Sequence, residues 1–240
     1  LIDKEFISTL NSFGIPKSDT DYSDNEGCGP IYNTVGLFFR SSVISLLNKI
    51  KFKCYTNECV EELIIDGKNV VGVRTNKRTI KSDYVILSGG VVGTCDLLLR
   101  EKNRQIEANN PIFDNFSFGK KIKDHTNLRV NITANKKIGS LNEISASYFQ
   151  QFFLLLKHYF GISSFMKGTG ATSAVHLDLD KDGVIDTRVQ IVQFSETGRH
   201  GSDGEFFSTH EPGFSLSITT INPKSRGEIK VDGEGNSINP

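Results

Sequence analysis

The stretch YVILSGGVVGTCDLLL, residues 84–99, decides the fold of this chain. An apolar run from Tyr84 to Leu87 stops at Ser88-Gly89-Gly90, and Thr94 opens a second apolar segment that contains residues 97–99. This order predicts a buried strand, a glycine turn and a helix. It is the geometry of a chain that passes close to a dinucleotide.

The segment before this stretch predicts a β-meander. Residues 60–65 and 70–75 are apolar-rich and flank Asp66-Gly67-Lys68-Asn69, a good hairpin turn. Short strands are expected at 53–56 and 79–80. Further upstream, residues 1–20 predict a short helix closed by Gly14-Ile15-Pro16, residues 21–36 a polar loop, and Ser41 or Ser42 the cap of a second helix.

After residue 100 the pattern changes. Residues 101–120 are polar and predict a loop, whereas 128–133, 189–194, 214–221 and 228–231 predict strands. Phe149, Phe152, Phe153, Leu156 and Phe160 recur at helical spacing and end at Gly161. We therefore expect an α/β part over 1–125 and an α+β part over 126–240 that is largely an antiparallel sheet with a helix on one face.

Two later segments belong with the opening stretch. GKKIKDH, residues 119–125, resembles a Gly-x-x-Leu-x-Asp-His motif, and NPKSRGEI, residues 222–229, resembles a Pro-x-Ser-Arg-Gly turn into a sheet strand. In this order, the three segments resemble the glucose-methanol-choline (GMC) family of FAD-dependent oxidoreductases. The resemblance implies a partial FAD/NAD(P)-binding flavoprotein domain over 1–125, followed by a partial substrate-binding domain over 126–240.

The resemblance also implies which residues face the cofactor. Val60 falls in the place of a family valine whose backbone amide and carbonyl meet the adenine of FAD, although it also fits as a plain strand residue. Ser88-Gly89-Gly90 resembles the family turn beside the dinucleotide, where glycine permits close approach. Asp96, expected in the first helical turn, would repel an anion. The turn is therefore predicted to lie beside the cofactor without cradling its phosphates.

Departures from the family pattern bear on activity more than on fold. Val91 stands where a small residue is usual in the family, and Cys95 stands where Pro or Ser is usual. Lys102-Asn103 replaces the usual Ser-Gly. The resemblance assigns His125 to a junction between domains, so we expect a structural role for it and not that of the catalytic base. Arg226 is expected to be a structural anchor. No residue of this chain is assigned a catalytic role.

Two expected parts of such an enzyme are absent from the sequence. It contains no G-x-G-x-x-G segment for the FAD pyrophosphate, and the catalytic histidine pair of the family would follow residue 240. One hypothesis is a segment of a flavoprotein that oxidises an alcohol by hydride transfer to FAD, with the isolated chain inactive. The other is a truncated, catalytically dead protein kept for a structural or interaction role, whose uncovered edges would favour self-association or a partner.

Charge balance, apolar runs, cysteines and an aspartate-rich segment give no reason to expect a nucleic-acid partner, a membrane span or a metal site. Lys plus Arg and Asp plus Glu each number 28, which gives no reason to expect nucleic acid as a partner, and no apolar run is long enough for a membrane span. The four cysteines have no metal-ligand spacing and are expected to be free. Asp178, Asp180, Asp182 and Gly183 open like a calcium loop, but Val189 occupies its twelfth position, which favours an Asp-Gly hairpin turn.

Overall fold

The structure is a computed structural model that describes residues 2–19, 25–33, 42–47, 49–162, 170–198, 207–208, 211–231 and 237–238. The helices are α1 (Ile2–Ser12), α2 (Val43–Leu47), α3 (Gly90–Glu107), α4 (Leu141–Ser145) and α5 (Tyr148–Tyr159), with a 3-10 turn at Pro111–Phe113. The strands are β1 (Gly27–Pro30), β2 (Val60–Asp66), β3 (Asn69–Thr75), β4 (Thr79–Lys81), β5 (Lys120–Ile122), β6 (Asn127–Thr133), β7 (Ala171–Leu177), β8 (Thr187–Val192), β9 (Glu196–Gly198), β10 (Phe207–Ser208), β11 (Gly213–Thr220), β12 (Gly227–Glu228), β13 (Lys230–Val231) and β14 (Ser237–Ile238).

The chain forms two compact units, each built from two segments. Unit 1 contains residues 1–51 and 125–223, and unit 2 contains residues 52–124 and 224–240. The chain passes from unit 2 to unit 1 next to His125, which is where the sequence predicts a domain transition. The units differ from the expected ranges in grouping 1–51 with the later part and 224–240 with the earlier part. No described helix has the length and apolar character to cross a membrane.

Unit 1 is centred on a five-stranded antiparallel sheet in the order β1-β7-β8-β11-β6. The predicted strands near 128–133, 189–194 and 214–221 are confirmed as β6, β8 and β11. The loop predicted over 21–36 is wrong at 27–30, because these residues pair with β7 as the edge strand β1. Strand β7 is the strand expected before the Asp-Gly turn, whereas helix α4 was not predicted. The fold class, mixed helices with mainly antiparallel sheets, is confirmed.

Helix α1 lies against this sheet through a polar contact. The Asp3 carboxylate accepts hydrogen bonds from the Thr172 hydroxyl, from Ser173 Oγ at 3.1 Å and from Gln193 Nε2 at 2.6 Å. Gln193 Nε2 also donates to Thr172 Oγ1 at 2.8 Å. Because Gln193 and Ser173 are buried, this network fixes the first turn of α1 on β7 and on the end of β8.

Unit 2 contains the predicted meander. Strands β2 and β3 form the expected hairpin through the turn at Gly67, and β4 adds a third antiparallel strand. The short strand predicted at 53–56 is wrong, because these residues have no regular structure. The loop predicted over 101–120 is wrong in its first part, because α3 continues to Glu107.

The buried strand predicted at 84–87 is also wrong. These residues belong to none of the described sheets, and Tyr84 and Ile86 are 87% and 88% exposed. An apolar run becomes a strand only where a neighbour supplies hydrogen bonds. The described meander ends at β4, so this run has no such neighbour there.

Candidate functional site

The candidate site in unit 2 is built on the packing of α3 against β2. Glu101 lies in the middle of α3 and is only 2% exposed. Its carboxylate accepts hydrogen bonds from the backbone N–H of Leu63 at 3.2 Å, from Arg104 Nη1 at 3.1 Å and from Gln105 Nε2 at 2.9 Å. A buried carboxylate is tolerated where it is paired and hydrogen-bonded in this way. Glu101 therefore fixes the helix on the meander.

Arg104 makes a second link between the same elements. Its guanidinium donates to the backbone carbonyl of Glu61 at 3.2 and 3.3 Å and lies 3.4 Å from the Glu62 carboxylate. Glu62 also accepts two hydrogen bonds of 2.6 Å from Arg74 on β3. These bonds lower the pKa of Glu62, with the hydrogen bond from Arg74 as the main cause. The backbone carbonyl that follows Val60, that of Glu61, is thus held by Arg104 on α3, and the side chain of Glu62 is held by Arg74 on β3.

Val60 is the first residue of β2. It is half-buried and faces Thr75 on β3. Its preceding residue, Cys59, donates its backbone N–H to Asn76 Oδ1 at 3.2 Å and accepts a hydrogen bond at its carbonyl from Asn76 N at 3.0 Å. Val60 therefore sits where the hairpin begins, next to the carbonyl that Arg104 contacts.

The turn Ser88-Gly89-Gly90 lies at the start of α3. Gly89 is the N-cap residue and has no side chain that could cap the helix. Gly90 has φ +76°, a conformation that favours glycine, and a Cβ there would meet no atom within 4 Å. All three residues are exposed. The turn thus leaves the first turn of α3 open to a ligand.

Asp96 was expected in the first turn of α3, where its carboxylate would repel an anion, but it does not lie there. Helix α3 begins at Gly90, so Asp96 lies in the second turn, and the first turn carries no acidic residue. The Asp96 carboxylate accepts a hydrogen bond of 2.5 Å from Arg100 Nη2, four residues later. Repulsion of an anion at the helix N-terminus by Asp96 is therefore weaker than predicted.

The four predicted cofactor residues lie near opposite ends of α3. Ser88, Gly89 and Gly90 are at its first turn, whereas Val60 is next to Glu61, which Arg104 contacts near the other end. Arg104 is about 20 Å along the helix axis from Gly90 at a rise of about 1.5 Å per residue. A single ligand that contacts both places must therefore be extended along α3.

The structure brings the two later motifs together. β5, from GKKIKDH, pairs with β12, from NPKSRGEI, through Gly227 opposite Ile122 and Glu228 opposite Lys120. The backbone N–H of the buried Ile229 donates to the Gly119 carbonyl at 2.8 Å. Gly119 has φ +72°, and a Cβ there would lie 2.4 Å from the Ile229 carbonyl oxygen and 3.2 Å from Leu99 Cδ1. Gly119 is therefore the point where both motifs meet α3.

The polar residues of these motifs are exposed. Asp124 and His125 lie on the surface at the passage between the units, and Arg226 is exposed and donates to the Ser225 carbonyl at 2.7 Å. The buried residues of the second motif are Pro223 and Ile229. The geometry thus places the apolar residues of the second motif in the packing, and the anchoring role of Arg226 stays a prediction.

The aspartate-rich segment is a hairpin turn, as predicted. It joins β7 to β8, and the Asp178 carboxylate accepts hydrogen bonds from the N–H groups of Asp182 at 3.2 Å and Gly183 at 2.8 Å. Gly183 has φ +86°. Carboxylate oxygens of Asp178, Asp180 and Asp186 lie within 4.8 Å of one another, so Asp186 and not Asp182 joins this cluster.

The prediction of free cysteines is confirmed. Cys28 is buried, Cys95 is half-buried, and Cys54 and Cys59 are exposed. Burial raises the pKa of the Cys28 thiol. A buried thiol of raised pKa is a packing residue, because the thiolate is the reactive form.

Sequence reasoning missed Glu101 and Arg104, which fix the helix on the meander. The signal was present in charged and amide pairs that begin in the predicted helix and continue into the segment predicted as a loop. Asp96 and Arg100 are four residues apart, as are Glu101 and Gln105. Such pairs favour a helix, and they extend past the last apolar residue of the opening stretch.

Comparison with known proteins identifies the fold. No family model and no curated protein matches the sequence. Among solved structures, an FAD-dependent oxidoreductase from Chaetomium thermophilum matches 95% of the chain with a TM-score of 0.69 and 12% identity. A formate oxidase structure matches 92% with a TM-score of 0.74 and 16% identity. A variant of Aspergillus oryzae formate oxidase, from a study of FAD modification, matches 92% with a TM-score of 0.75 and 16% identity.

At these identities the similarity establishes the fold. The chain has the fold found in these FAD-dependent oxidoreductases, over nearly its whole length. It spans 48% of the Chaetomium thermophilum chain and 45% of each formate oxidase chain, so it corresponds to slightly less than half of each of these structures.

Proposed function

We propose that the complete protein is an FAD-dependent oxidoreductase of the GMC type, and that this chain supplies its middle portion. The observation that carries the proposal is the match of 92–95% of the chain to flavoprotein folds. The pairing of β5 with β12 supports it independently, because it joins two motifs that were linked to the family by sequence alone.

The proposed reaction is oxidation of an alcohol. Bound FAD supplies the acceptor for a hydride from the substrate carbon. The residues of this chain would hold the cofactor, and the proton acceptor would come from outside residues 1–240. The isolated chain is therefore proposed to be inactive. Formate oxidase activity belongs to those similar proteins, and no residue described in this chain selects among alcohols.

Four residues are proposed to face FAD. The backbone of Val60 would meet the adenine, because it lies at the start of a strand whose neighbours are held by Arg74 and Arg104. Ser88, Gly89 and Gly90 would lie beside the dinucleotide, where the open space at Gly90 admits a ligand. Their separation along α3 suits an extended molecule, so we propose that the two places contact different parts of FAD.

The domain assignment is part of the same proposal. Residues 1–125 are proposed as the partial FAD-binding domain and 126–240 as the partial substrate-binding domain. The passage between compact units at residues 124 and 125 supports this boundary. Residues 1–51 and 224–240 are the segments on which the proposed domains and the compact units differ.

The test is a binding titration with the complete protein, because this chain lacks the G-x-G-x-x-G segment expected to hold the FAD pyrophosphate. We expect FAD to bind and ADP to compete for the site, while FMN does not, because the proposed contacts are on the adenine side. Gly89→Leu should weaken FAD binding at least tenfold. Gly89 has φ −78°, which leucine adopts without strain, and the added Cβ would be 3.6 Å from Thr94 Oγ1.

Lys4→Leu is the control, because it adds the same side chain at an exposed residue of α1, in the other compact unit. It should leave FAD binding unchanged. Absence of binding for both FAD and ADP, or equal effects of the two variants, would overturn the assignment of these residues. Alcohol oxidation by the isolated chain would overturn its proposed inactivity.

The alternative is a protein without catalytic activity that keeps the fold for an interaction. The exposed apolar residues Tyr84 and Ile86 favour it, because such residues often mark a contact surface. This alternative predicts a stable complex of the chain with no flavin bound, whereas the main proposal predicts competition by ADP.

A further inference from the structure

Arg78 and Tyr55 contact each other at the surface of unit 2. Arg78 is the last residue of the turn between β3 and β4, and its guanidinium carbon lies 4.5 Å from the centroid of the Tyr55 ring. Such a cation–π contact fixes the plane of the ring. Tyr55 is 45% exposed, and a guanidinium covers only one face of a ring, so ring surface remains for a planar ligand. We call Tyr55 and Arg78 the stacking pair.

A buried carboxylate holds Arg78 in this position. Arg78 Nη2 lies 2.8 Å from Glu58 Oε1, and the Glu58 side chain is only 5% exposed. The second carboxylate oxygen, Oε2, accepts a hydrogen bond of 3.1 Å from Thr75 Oγ1. A charge-assisted bond to a buried, hydrogen-bonded partner restricts an arginine side chain more than an exposed ion pair does. The stacking pair is therefore a fixed feature of unit 2 and not two independent surface side chains.

Thr75 places the stacking pair next to Val60. Thr75 is buried and lies directly opposite Val60 in the β2–β3 hairpin. Opposite residues of an antiparallel pair have Cβ atoms about 4.5–5.5 Å apart on the same side of the sheet. Thr75 Oγ1 also accepts a hydrogen bond of 3.0 Å from the backbone N–H of Arg78. Thr75 therefore lies between Val60 and Arg78 and contacts the residues on both sides.

The backbone of Val60 points away from β3. The Cys59 carbonyl accepts a hydrogen bond of 3.0 Å from the backbone N–H of Asn76, so the backbone of Cys59 faces β3. The N–H of Thr75 donates instead to the Arg78 carbonyl at 2.8 Å, on the opposite side of β3 from β2. Because hydrogen-bonded and non-hydrogen-bonded pairs alternate along antiparallel strands, Val60 and Thr75 form a non-hydrogen-bonded pair. The N–H and carbonyl of Val60 are therefore directed to the outer edge of β2.

Val60 thus presents a backbone donor and a backbone acceptor at the edge of a sheet. In the three-stranded sheet that the structure describes, β2 is an outer strand. Beside this edge, Cys59 Sγ lies 3.8 Å from the Val60 carbonyl oxygen. A thiol is a weak donor, so an amino group of a ligand is a better partner for that carbonyl. One donor and one acceptor side by side match the edge of adenine, as the proposed function requires.

We propose that the adenine of FAD stacks on the ring of Tyr55, and that Arg78 is the positioning residue that fixes this ring. The inference rests on the proposed function, which places the adenine at the backbone of Val60, and it adds the side chains that hold the flat surface of the base. A backbone donor and acceptor bind only the edge of a base, whereas an aromatic ring binds its face. The two contributions are therefore separable by experiment.

The charges around Val60 favour a neutral base over a phosphate group. Arg78 is paired with Glu58, so the stacking pair brings no net positive charge to the site. Glu61 and Glu62, which follow Val60, add two carboxylates whose charge is matched by the arginines that they contact. A phosphate binds where cations or backbone N–H groups are in excess. We therefore assign the base, and not a phosphate, to the stacking pair.

The test is a titration of the flavin-free complete protein with ADP, which carries the adenine without the flavin. Tyr55→Ala should weaken ADP binding at least about fivefold, the effect of losing one stack between a base and an aromatic ring. Tyr55→Phe keeps the ring and should bind ADP as the parent does. Phe52→Ala is the matched control, because it removes another exposed ring from the same segment, and it should leave ADP binding unchanged.

Arg78→Lys separates the fixing of the ring from the charge. Lysine keeps the positive charge that pairs with Glu58 but lacks the planar group that lies over Tyr55. We expect this variant to weaken ADP binding about threefold, in line with the loss of an exposed cation–π contact. Lys77→Ala removes the neighbouring exposed cation and should leave ADP binding unchanged.

Replacing ADP by IDP separates stacking from recognition of the base edge. Hypoxanthine has a carbonyl and a ring N–H where adenine has an amino group and an unprotonated ring nitrogen, so its edge does not match the backbone of Val60. The parent should bind IDP at least about fivefold more weakly than ADP. Tyr55→Ala should weaken both nucleotides by the same factor and keep their ratio, whereas a variant that merely disturbs β2 should lower the ratio.

Equal ADP binding by Tyr55→Ala and Phe52→Ala would overturn the proposal, as would a lowered ratio of ADP to IDP affinity in Tyr55→Ala. Full ADP binding by Arg78→Lys would overturn the positioning role of Arg78. In these cases the parent still binds ADP, so the proposed flavoprotein function stands. A parent that binds neither ADP nor FAD would overturn the proposed function and this inference with it. Thermal unfolding checks that each variant is folded.

Discussion

The carboxylate of Glu101 accepts a hydrogen bond of 3.2 Å from the backbone N–H of Leu63, 38 residues earlier in the chain. Leu63 is buried at the centre of β2, and Glu101 is buried in α3. The Glu101 side chain therefore accepts from the backbone N–H of Leu63 in the meander and also forms an ion pair with Arg104.

Replacing Glu101 should destabilise unit 2 strongly. Glu101→Ala removes the acceptor from Leu63 and from Arg104, and we expect a loss of about 3 kcal/mol in the free energy of unfolding. Glu101→Gln keeps one acceptor oxygen and should cost about half as much. Urea unfolding of both variants measures the difference. Glu107→Ala, at the exposed end of the same helix, is the control and should change stability by less than about 0.5 kcal/mol.

Gly119→Ala should disrupt the pairing of β5 with β12. The residue has φ +72°, and the added Cβ would approach the Ile229 carbonyl to 2.4 Å, so the backbone must move. We expect a loss of about 2 kcal/mol or more. Amide hydrogen exchange at Ile229, whose N–H donates to Gly119, should become faster.

Gly93→Ala is the control for this substitution. Gly93 lies inside α3 with nothing within 4 Å of an added Cβ, so alanine should stabilise the helix by up to about 1 kcal/mol. If Gly119→Ala left the exchange of Ile229 unchanged, the close approach of the two backbones would be wrong.

The pH dependence of stability should report on Glu143. Its carboxylate accepts hydrogen bonds from the N–H groups of Ile138 at 3.1 Å and Ser140 at 2.8 Å, and from the Ser140 hydroxyl at 3.0 Å. Burial tends to raise the pKa of Glu143, but these hydrogen bonds outweigh it, and the pKa is lowered. The contribution is therefore present above the unfolded pKa of about 4.3 and is lost as the pH falls below it.

Glu143→Gln should therefore flatten the decline in stability at acid pH. We expect unfolding free energies measured from pH 7 to pH 3 to fall less steeply in the variant than in the parent. Glu5→Gln, at an exposed residue of α1, should keep the parental slope. A variant at Glu143 with the full parental slope would contradict the assignment.

Asp3→Ala should detach α1 from the sheet. The carboxylate accepts hydrogen bonds from three side chains, and the loss leaves the buried amide of Gln193 with one fewer acceptor. We expect a loss of about 2 kcal/mol, larger than that of the neighbouring exposed Lys4→Ala, which should be near zero. Denaturant unfolding compares the two, and equal effects would show that the Asp3 network does not hold the helix.

Sequence patterns predicted the elements whose signal is local. The β2–β3 hairpin follows from alternating residues around a four-residue turn, and α5 follows from aromatic residues at helical spacing. The run at 84–87 was predicted wrongly because a strand depends on a pairing partner that periodicity does not reveal. β1 was missed for the converse reason, since Gly27–Pro30 has no strand pattern and is extended by its pairing with β7.

The candidate site was predicted in part. The glycine turn and the start of α3 follow from residues 88–94, and the pairing of the two later motifs is consistent with their common resemblance. The buried Glu101 could not be predicted, because only the packed structure shows that its carboxylate reaches β2. The exposure of Phe149, Phe152 and Phe153 on α5 was also beyond periodicity, which identifies an apolar face without its direction.

The pairing of β1 with β7 can form only late in synthesis. The meander of β2, β3 and β4 is contiguous and can close as soon as it leaves the ribosome. Strand β1 comes earlier in the chain, yet its partner is made roughly 140 residues later, which takes on the order of 10–30 s at ordinary elongation rates. During that interval the buried thiol of Cys28 has no sheet around it, so a nascent chain exposes to oxidants a cysteine that the finished protein conceals.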